Sequence, residues 1–220
     1  MAFVVAIDGP AGTGKGTVTK IMAKKLGLVD IDTGAMYRCV ALYSLRNHVN
    51  LEDSAEIEKM FEQIKIDLEK ENGVLKVYLN EEDVSAVIRT PEIDKQTTKI
   101  GPIQQIRRKM VDLMRQAAQG KDVIMEGRDI GTAVFPNADV KIYLDADVKE
   151  RARRRYKENC KKNIACSYEK VLEDMAIRDE TDLTKGGLRR AEDAILVDST
   201  NLTIEEVVEK IENIIKQKMC

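Results

Sequence analysis

Apolar residues fall into short runs separated by segments of helical periodicity. Phe3-Val4-Val5-Ala6-Ile7 is continuous enough to be a strand buried on both faces. From Lys15 to Leu26 the apolar positions Val18, Ile21, Met22 and Leu26 share one helical face, which Gly27 closes. A short strand over Leu28 to Ile31 and a helix carrying Met36, Val40, Leu42 and Leu45 to about Asn47 follow. The period then changes from helical to alternating. Ile64 to Leu68 and Leu75 to Leu79 alternate around Glu71-Asn72-Gly73, which predicts a hairpin with its turn there. The helical period returns from about Ile100 to Ala118, on Ile103, Ile106, Met110, Leu113 and Met114. Two further strands are expected at Val123-Ile124-Met125 and Val140 to Leu144. A charged helix at Lys149 to Lys157 and another from Tyr168 to about Arg178 come next. The strand Ala194 to Val197 and a helix from Ile204 to about Lys216, with Thr203 as its cap, end the chain.

Five apolar strands alternating with helices predict a three-layer α/β fold with a mainly parallel five-stranded sheet. In such sheets ligand sites collect at the carboxyl ends of the strands. Gly9 to Thr17, Asp32-Thr33, Glu126 to Asp129 and Asp145 all stand at such ends. The hairpin does not fit a simple βα repeat and reads as an insertion between core elements.

Composition narrows the function classes. The 220 residues suit one core plus an insertion. With 36 basic and 38 acidic residues and only 4% aromatics, no polynucleotide-binding footprint is expected. No apolar run reaches membrane-spanning length and no targeting segment is read, so a cytoplasmic protein is expected. The cysteines Cys39, Cys160, Cys166 and Cys220 form no paired short motif, so free thiols are expected and a zinc site at Cys160 and Cys166 is not. His48 reads as a surface or capping residue, and no nucleophile–histidine set is evident.

The chemistry starts at Gly9-Pro10-Ala11-Gly12-Thr13-Gly14-Lys15-Gly16-Thr17. A strand aims this segment, the glycines let successive backbone N–H groups turn inward, and a helix N-terminus follows, so it reads as a phosphate-binding loop. Lys15 adds a full charge near the β- and γ-phosphates of a bound nucleotide. Gly16 follows the lysine, which leaves Thr17 as the hydroxyl for magnesium, directly or through water. Phosphoryl transfer also needs rigid cations on the transferred and accepting phosphates. Arg38, Arg107, Arg128 and the cluster Arg151, Arg153, Arg154 and Arg155 supply candidates, and two of that cluster are expected to be surface residues.

These segments, with Asp32-Thr33-Gly34-Ala35-Met36-Tyr37-Arg38 and Gly127-Arg128-Asp129-Ile130-Gly131-Thr132, resemble the bacterial cytidylate kinases over essentially the whole chain. Glu82 to Ser85, Ile88-Arg89-Thr90, Phe135 to Ala138 and Asp198-Ser199-Thr200 match that family in order. The resemblance implies the P-loop kinase fold, with a core over 1–59, 96–150 and 190–220. It also implies a nucleoside-monophosphate-binding insertion over about 60–95 and a helical lid over about 151–189. It implies a monomeric enzyme using ATP, with Mg2+, to phosphorylate CMP and dCMP. ATP is expected on Gly9, Pro10, Ala11, Gly12, Thr13, Gly14, Lys15, Gly16 and Thr17. Lys15, Arg128, Arg154 and Arg155 are the expected catalytic residues. Thr33, Arg107 and Asp129 are implied around the cytosine, Thr98, Arg178 and Asp182 near the sugar, and Arg38, Arg128 and Lys185 on phosphate. Thr33 stands where serine is common, and Lys185 stands where arginine is usual, keeping the charge but losing the bidentate fork. The segment after Lys185 is shorter than the family pattern by about two residues. A kinase for UMP, AMP or a small metabolite is the nearest alternative. A nucleotide-dependent switch is a further one, although the chain has no Asn-Lys-x-Asp guanine-reading motif.

Overall fold

The computed structural model describes residues 2–71, 74–185 and 187–219. In chain order the elements begin with β1 (Val4–Asp8), α1 (Lys15–Leu26), β2 (Val29–Ile31), α2 (Thr33–Arg46) and α3 (Ser54–Gln63). Next come β3 (Ile66–Glu71), β4 (Val74–Leu79), β5 (Glu82–Asp83), α4 (Pro91–Ile100) and α5 (Gln104–Ala118). The last group is β6 (Val123–Gly127), β7 (Val140–Asp145), α6 (Val148–Lys161), α7 (Tyr168–Thr184), β8 (Ile195–Asp198) and α8 (Ile204–Met219). They fall into two compact units, Met1–Asp30 with Gly120–Cys220, and Ile31–Gln119. No helix among the described residues is long and apolar enough to cross a membrane.

The first unit is built on a sheet in the order β2-β6-β1-β7-β8. β1 pairs in parallel with β6 and β7, and β7 pairs in parallel with β8. Val5, Ala6, Ile7, Ile124 and Met125 are fully buried, which is why these strands read as unbroken apolar runs. Val18 and Met22 of α1 and Ile211 and Ile215 of α8 join the same core. Register places Asp8 opposite both Gly127 and Tyr143, so the carboxyl ends of the three central strands are level. The glycine-rich loop therefore leaves the sheet beside the segment that starts at Arg128.

Local chemistry sets the helix ends. Gly27, at φ 69, ends α1 with its N–H on the Ala23 carbonyl. The expected cap of α8 is present as a reciprocal pair: Glu206 N–H donates to Thr203 Oγ1 at 3.3 Å, and Thr203 N–H donates to Glu206 Oε2 at 2.8 Å. α6 and α7 run longer than their apolar pattern. α7 continues past Arg178 to Thr184, where the Thr181 and Thr184 hydroxyls donate to carbonyls one turn back. The pair packs on Ala152, Val171 and Met175, with Tyr156 and Tyr168 edge to face at 6.4 Å.

In the second unit Asp32 caps α2 by accepting from Ala35 N–H at 2.9 Å. β3 and β4 form the expected antiparallel pair, Ile66 opposite Leu79, and β5 adds a third strand. Asn72 and Gly73 of its expected turn lie outside the described residues. One expectation is corrected: no single helix spans Ile100 to Ala118. Proline at 102 has no N–H to continue the helical ladder, so α4 stops at Ile100, with Gly101 still at helical angles (φ −53, ψ −39), and α5 restarts from an extended Ile103. α3 and α4 escape the apolar pattern because each buries so little, Ile57 and Met60 in one and Ile93, Gln96 and Ile100 in the other. His48 is exposed just past α2, in the left-handed region at φ 51.

Candidate active site

The loop after β1 is shaped by close approach. Gly9 has φ 148, and a Cβ there would stand 2.0 Å from the Leu144 carbonyl oxygen, so no side chain fits between loop and β7. Gly14, at φ 97, turns the chain into α1. Lys15 folds back over the loop and is buried. Its Nζ donates to the Pro10 carbonyl at 2.7 Å and to Thr13 Oγ1 at 3.5 Å. Burial, reinforced by the nearby Arg128 guanidinium, pushes the ammonium down to about 7, while Glu126 and Asp8 oppose the shift.

A cavity of about 1110 Å³ opens at this loop, entirely within the first unit. Gly12 to Thr17 form its floor. Seven basic side chains reach it: Lys15 and Lys20 from α1, Arg128 after β6, Arg154, Arg155 and Lys161 from α6, and Arg178 from α7. Three acids also line it, namely Glu126, Glu158 and Asp174. Val171, Met175, Leu202, Ile204 and Val207 add apolar lining. A cation-rich cavity with apolar lining suits a ligand that carries both phosphates and a flat apolar group.

The arginine cluster on α6 divides by helical phase. Arg154 and Arg155 line the cavity. Arg154 is anchored by Glu150 at 2.9 Å, by the Ser199 carbonyl at 2.6 Å and by Ser199 Oγ at 3.2 Å, whereas Arg155 holds Glu158 at 3.1 Å. Arg153 is exposed and pairs with Glu150. Arg151 is the surprise, because it is buried under the loop and not on the surface. It donates to the Ala11 carbonyl at 3.1 Å and to the Ala146 carbonyl at 2.8 Å, and meets both oxygens of Asp179 at 3.1 and 2.6 Å.

Arg128 Nε donates to Asp182 Oδ2 at 2.7 Å and its Nη1 to the Gly9 carbonyl at 3.2 Å. Asp182 also lies 3.9 Å from Arg178 Nε. The expected sugar acceptor is thus already held between two arginines. Asp129, at φ −148 and ψ 29, starts the π-type turn Ile130–Val134. Lys185 is exposed at the end of α7, and the Gly186 that follows lies outside the described residues.

The second unit carries the remaining expected contacts. Thr33 is buried at the first position of α2. Arg38, one turn on, donates through Nε to Asp94 Oδ1 at 3.1 Å. Thr98 donates its hydroxyl to the Asp94 carbonyl at 3.0 Å, so Arg38, Asp94 and Thr98 come together. Arg107, on α5, donates through Nη1 to the Gly101 carbonyl at 3.4 Å.

Sequence reasoning placed Glu126 at a strand end expected to face the cleft but gave it no specific task. A Cβ on Gly16 would lie 3.7 Å from Glu126 Oε1, which places this carboxylate beside the start of α1, near Lys15. Its position at the end of a buried apolar strand was the available signal. The apolar lining had no comparable signal, since Val171, Met175 and Val207 were singled out by no motif.

The family model described as cytidylate kinase matches residues 5–217. The chain belongs to the cytidylate kinase family. It is 47% identical over 208 residues to a cytidylate kinase of Fusobacterium nucleatum, covering 94% of each chain. To that of Carboxydothermus hydrogenoformans it is 46% identical over 216 residues, covering 97% of each. To that of Bacillus subtilis it is 44% identical, covering 97% of this chain and 96% of the relative. Among solved structures it is similar in fold to an uncharacterised protein from Eubacterium ventriosum, at TM-score 0.55 and 11% identity, covering 99% of each chain. TT1252 from Thermus thermophilus is similar too, at TM-score 0.51 and 16% identity, covering 100% of this chain and 98% of that one.

Proposed function

We infer that this member of the cytidylate kinase family transfers the γ-phosphoryl group of ATP directly to a phosphate oxygen of CMP or dCMP, giving ADP and CDP or dCDP. The observation that carries the reading is the cation-lined cavity over a phosphate-binding loop, in a chain matched to the family almost end to end. The accepting oxygen belongs to a phosphate and is nucleophilic as the dianion, so no strong general base is required. Catalysis rests on alignment and on neutralising charge, which Lys15, Arg128, Arg154 and Arg155 perform.

Gly9 to Thr17 hold the donor phosphates through backbone N–H groups and the helix N-terminus. Thr17 and Glu126 line the same cavity and offer oxygen donors, the ligand type that magnesium takes. They are the residues that would hold it, and the ion would neutralise donor-phosphate charge. On the acceptor, Thr33, Arg107 and Asp129 read the cytosine edge. A guanidinium and a carboxylate match the O2 and N3 acceptors and the N4 donor of cytosine, and an edge with donor and acceptor exchanged leaves buried groups unpaired. Arg38, Arg128 and Lys185 take the acceptor phosphate, and Thr98, Arg178 and Asp182 lie toward the sugar. Residues 60–95 serve as the monophosphate-binding insertion and 151–189 as the lid. The chain acts as a cytoplasmic monomer in pyrimidine nucleotide metabolism.

The test is coupled ADP release with ATP and each nucleoside monophosphate in turn. Rapid multiple turnover only with CMP and dCMP is expected. Faster turnover with UMP or AMP, or slow hydrolysis indifferent to the acceptor, would sink the reading.

A further inference from the structure

Asp8 is a charged residue at the end of an otherwise apolar central strand, and the chemistry above gives it no task. Its carboxylate is 4% exposed. Each oxygen accepts one backbone N–H: Oδ1 from Ile130 at 2.8 Å and Oδ2 from Gly131 at 2.7 Å. Those two amides open the turn that directly follows Arg128 and Asp129. The turn is closed on itself by Ala133 N–H, which donates to the Asp129 carbonyl at 2.7 Å. The next residue of the loop holds the same segment from the other side, because the Gly9 carbonyl accepts from Arg128 Nη1 at 3.2 Å.

Gly131 makes the contact possible. A Cβ there would lie 3.3 Å from Asp8 Oδ2 and 3.3 Å from the Lys141 stem, tighter than a side chain ordinarily tolerates. The acid itself is costly. Burial pushes its carboxyl up from 3.8 to about 6 and Asp129 adds repulsion, while the two N–H donors and Lys15 pull the other way. An apolar residue would leave two buried N–H groups unpaired, and asparagine would turn an NH2 toward one of them. Only a carboxylate presents two acceptors at this spacing.

We propose that Asp8 is a positioning residue for phosphoryl transfer, fixing Arg128 and Asp129 to the phosphate loop through the amides of Ile130 and Gly131. The inference rests on the reading of Arg128 and Asp129 as acceptor contacts. Donor loop and acceptor residues in this unit then share one rigid joint, where a displacement of about 1 Å costs on the order of a hundredfold in rate.

The experiment uses the full chain with Asp8→Asn, Asp129→Ala and the double variant, each first shown to be folded by circular dichroism and thermal melting. For Asp8→Asn a roughly tenfold rise in KM for CMP and a comparable fall in kcat are expected, with KM for ATP within about twofold. In the Asp129→Ala background, Asp8→Asn should change KM for CMP by less than about threefold, since the cytosine contact it positions is already gone and only its hold on Arg128 remains. An equal rise in both KM values, or a full tenfold effect in the double variant, overturns the inference. If Asp129→Ala and Arg128→Ala both leave KM for CMP unchanged, the acceptor reading itself fails, a result distinct from either. Should Asp8→Asn not fold, Gly131→Ala, which presses on the same carboxylate, carries the same comparison.

Discussion

Lys15 shows what a single residue does here. Its charge is buried against the loop it serves, between Arg128 on one side and Glu126 and Asp8 on the other. Removing it deletes the ammonium proposed to meet the donor phosphates and also relieves a desolvated charge, so activity and stability part company. Lys15→Ala should lower kcat by on the order of a thousandfold while the melting temperature stays within a few degrees of wild type. Steady-state kinetics beside a thermal melt checks both halves, and near-normal CMP phosphorylation by the folded variant would contradict the assignment.

At the scale of elements, α6 and α7 are joined by Arg151 and Asp179 as well as by apolar packing. The pair is bidentate, with Arg151 buried and Asp179 half-buried, and Arg151 also reaches the Ala11 carbonyl of the loop. Arg151→Ala leaves the half-buried Asp179 without this partner, which should cost about 1–3 kcal/mol. A lower melting temperature and faster amide exchange in α7 and in residues 10–14 are the readouts; unchanged exchange there would show the pair to be incidental. The same pair explains what was legible in the sequence. Strands buried on both faces and α1, α2 and α8 announced themselves through continuous or periodic apolar residues. The loop from Gly9 to Thr17 did so through residue types that no other local structure requires. Arg151 lay in a charge run indistinguishable from a solvated face until its phase on α6 was known, and the last turns of α7 are held by polar groups that leave no apolar period. The split between α4 and α5 was written in Gly101 and proline 102, but the apolar spacing around them overrode the signal.

For the whole molecule, charge is nearly balanced, 36 basic against 38 acidic residues, yet seven basic groups and three acids line one cavity. The field is concentrated where phosphates are expected, which favours capture of anions without making the surface generally basic. Asp8 adds a pH dependence to stability. Its folded value of about 6 lies above the ordinary 3.8, so the folded chain holds this proton more tightly than the unfolded chain. The contribution is fully present below 3.8 and is lost as pH rises through about 6, a change of roughly 3 kcal/mol for a shift of about two units. Wild type should therefore lose stability relative to Asp8→Asn between pH 4 and pH 6 and run parallel to it above pH 7. Denaturant titrations of both proteins across that range measure the difference, and parallel curves throughout would exclude the assignment.

The hydrogen bond from Lys15 to the Pro10 carbonyl sets terms for any donor. An unrestrained lysine loses up to about 2 kcal/mol of rotamer freedom when it is immobilised on a ligand. Here the chain's own carbonyl already holds the ammonium in place, so that loss is incurred during folding and not at the moment of binding. Binding becomes an exchange of one oxygen for others, and a nucleotide gains from Lys15 only insofar as its phosphates outdo a peptide carbonyl. On the proposed reading, a ligand that ends at its α-phosphate has little to offer in that exchange, and the loop would favour polyphosphates through the quality of the replacement as much as through charge.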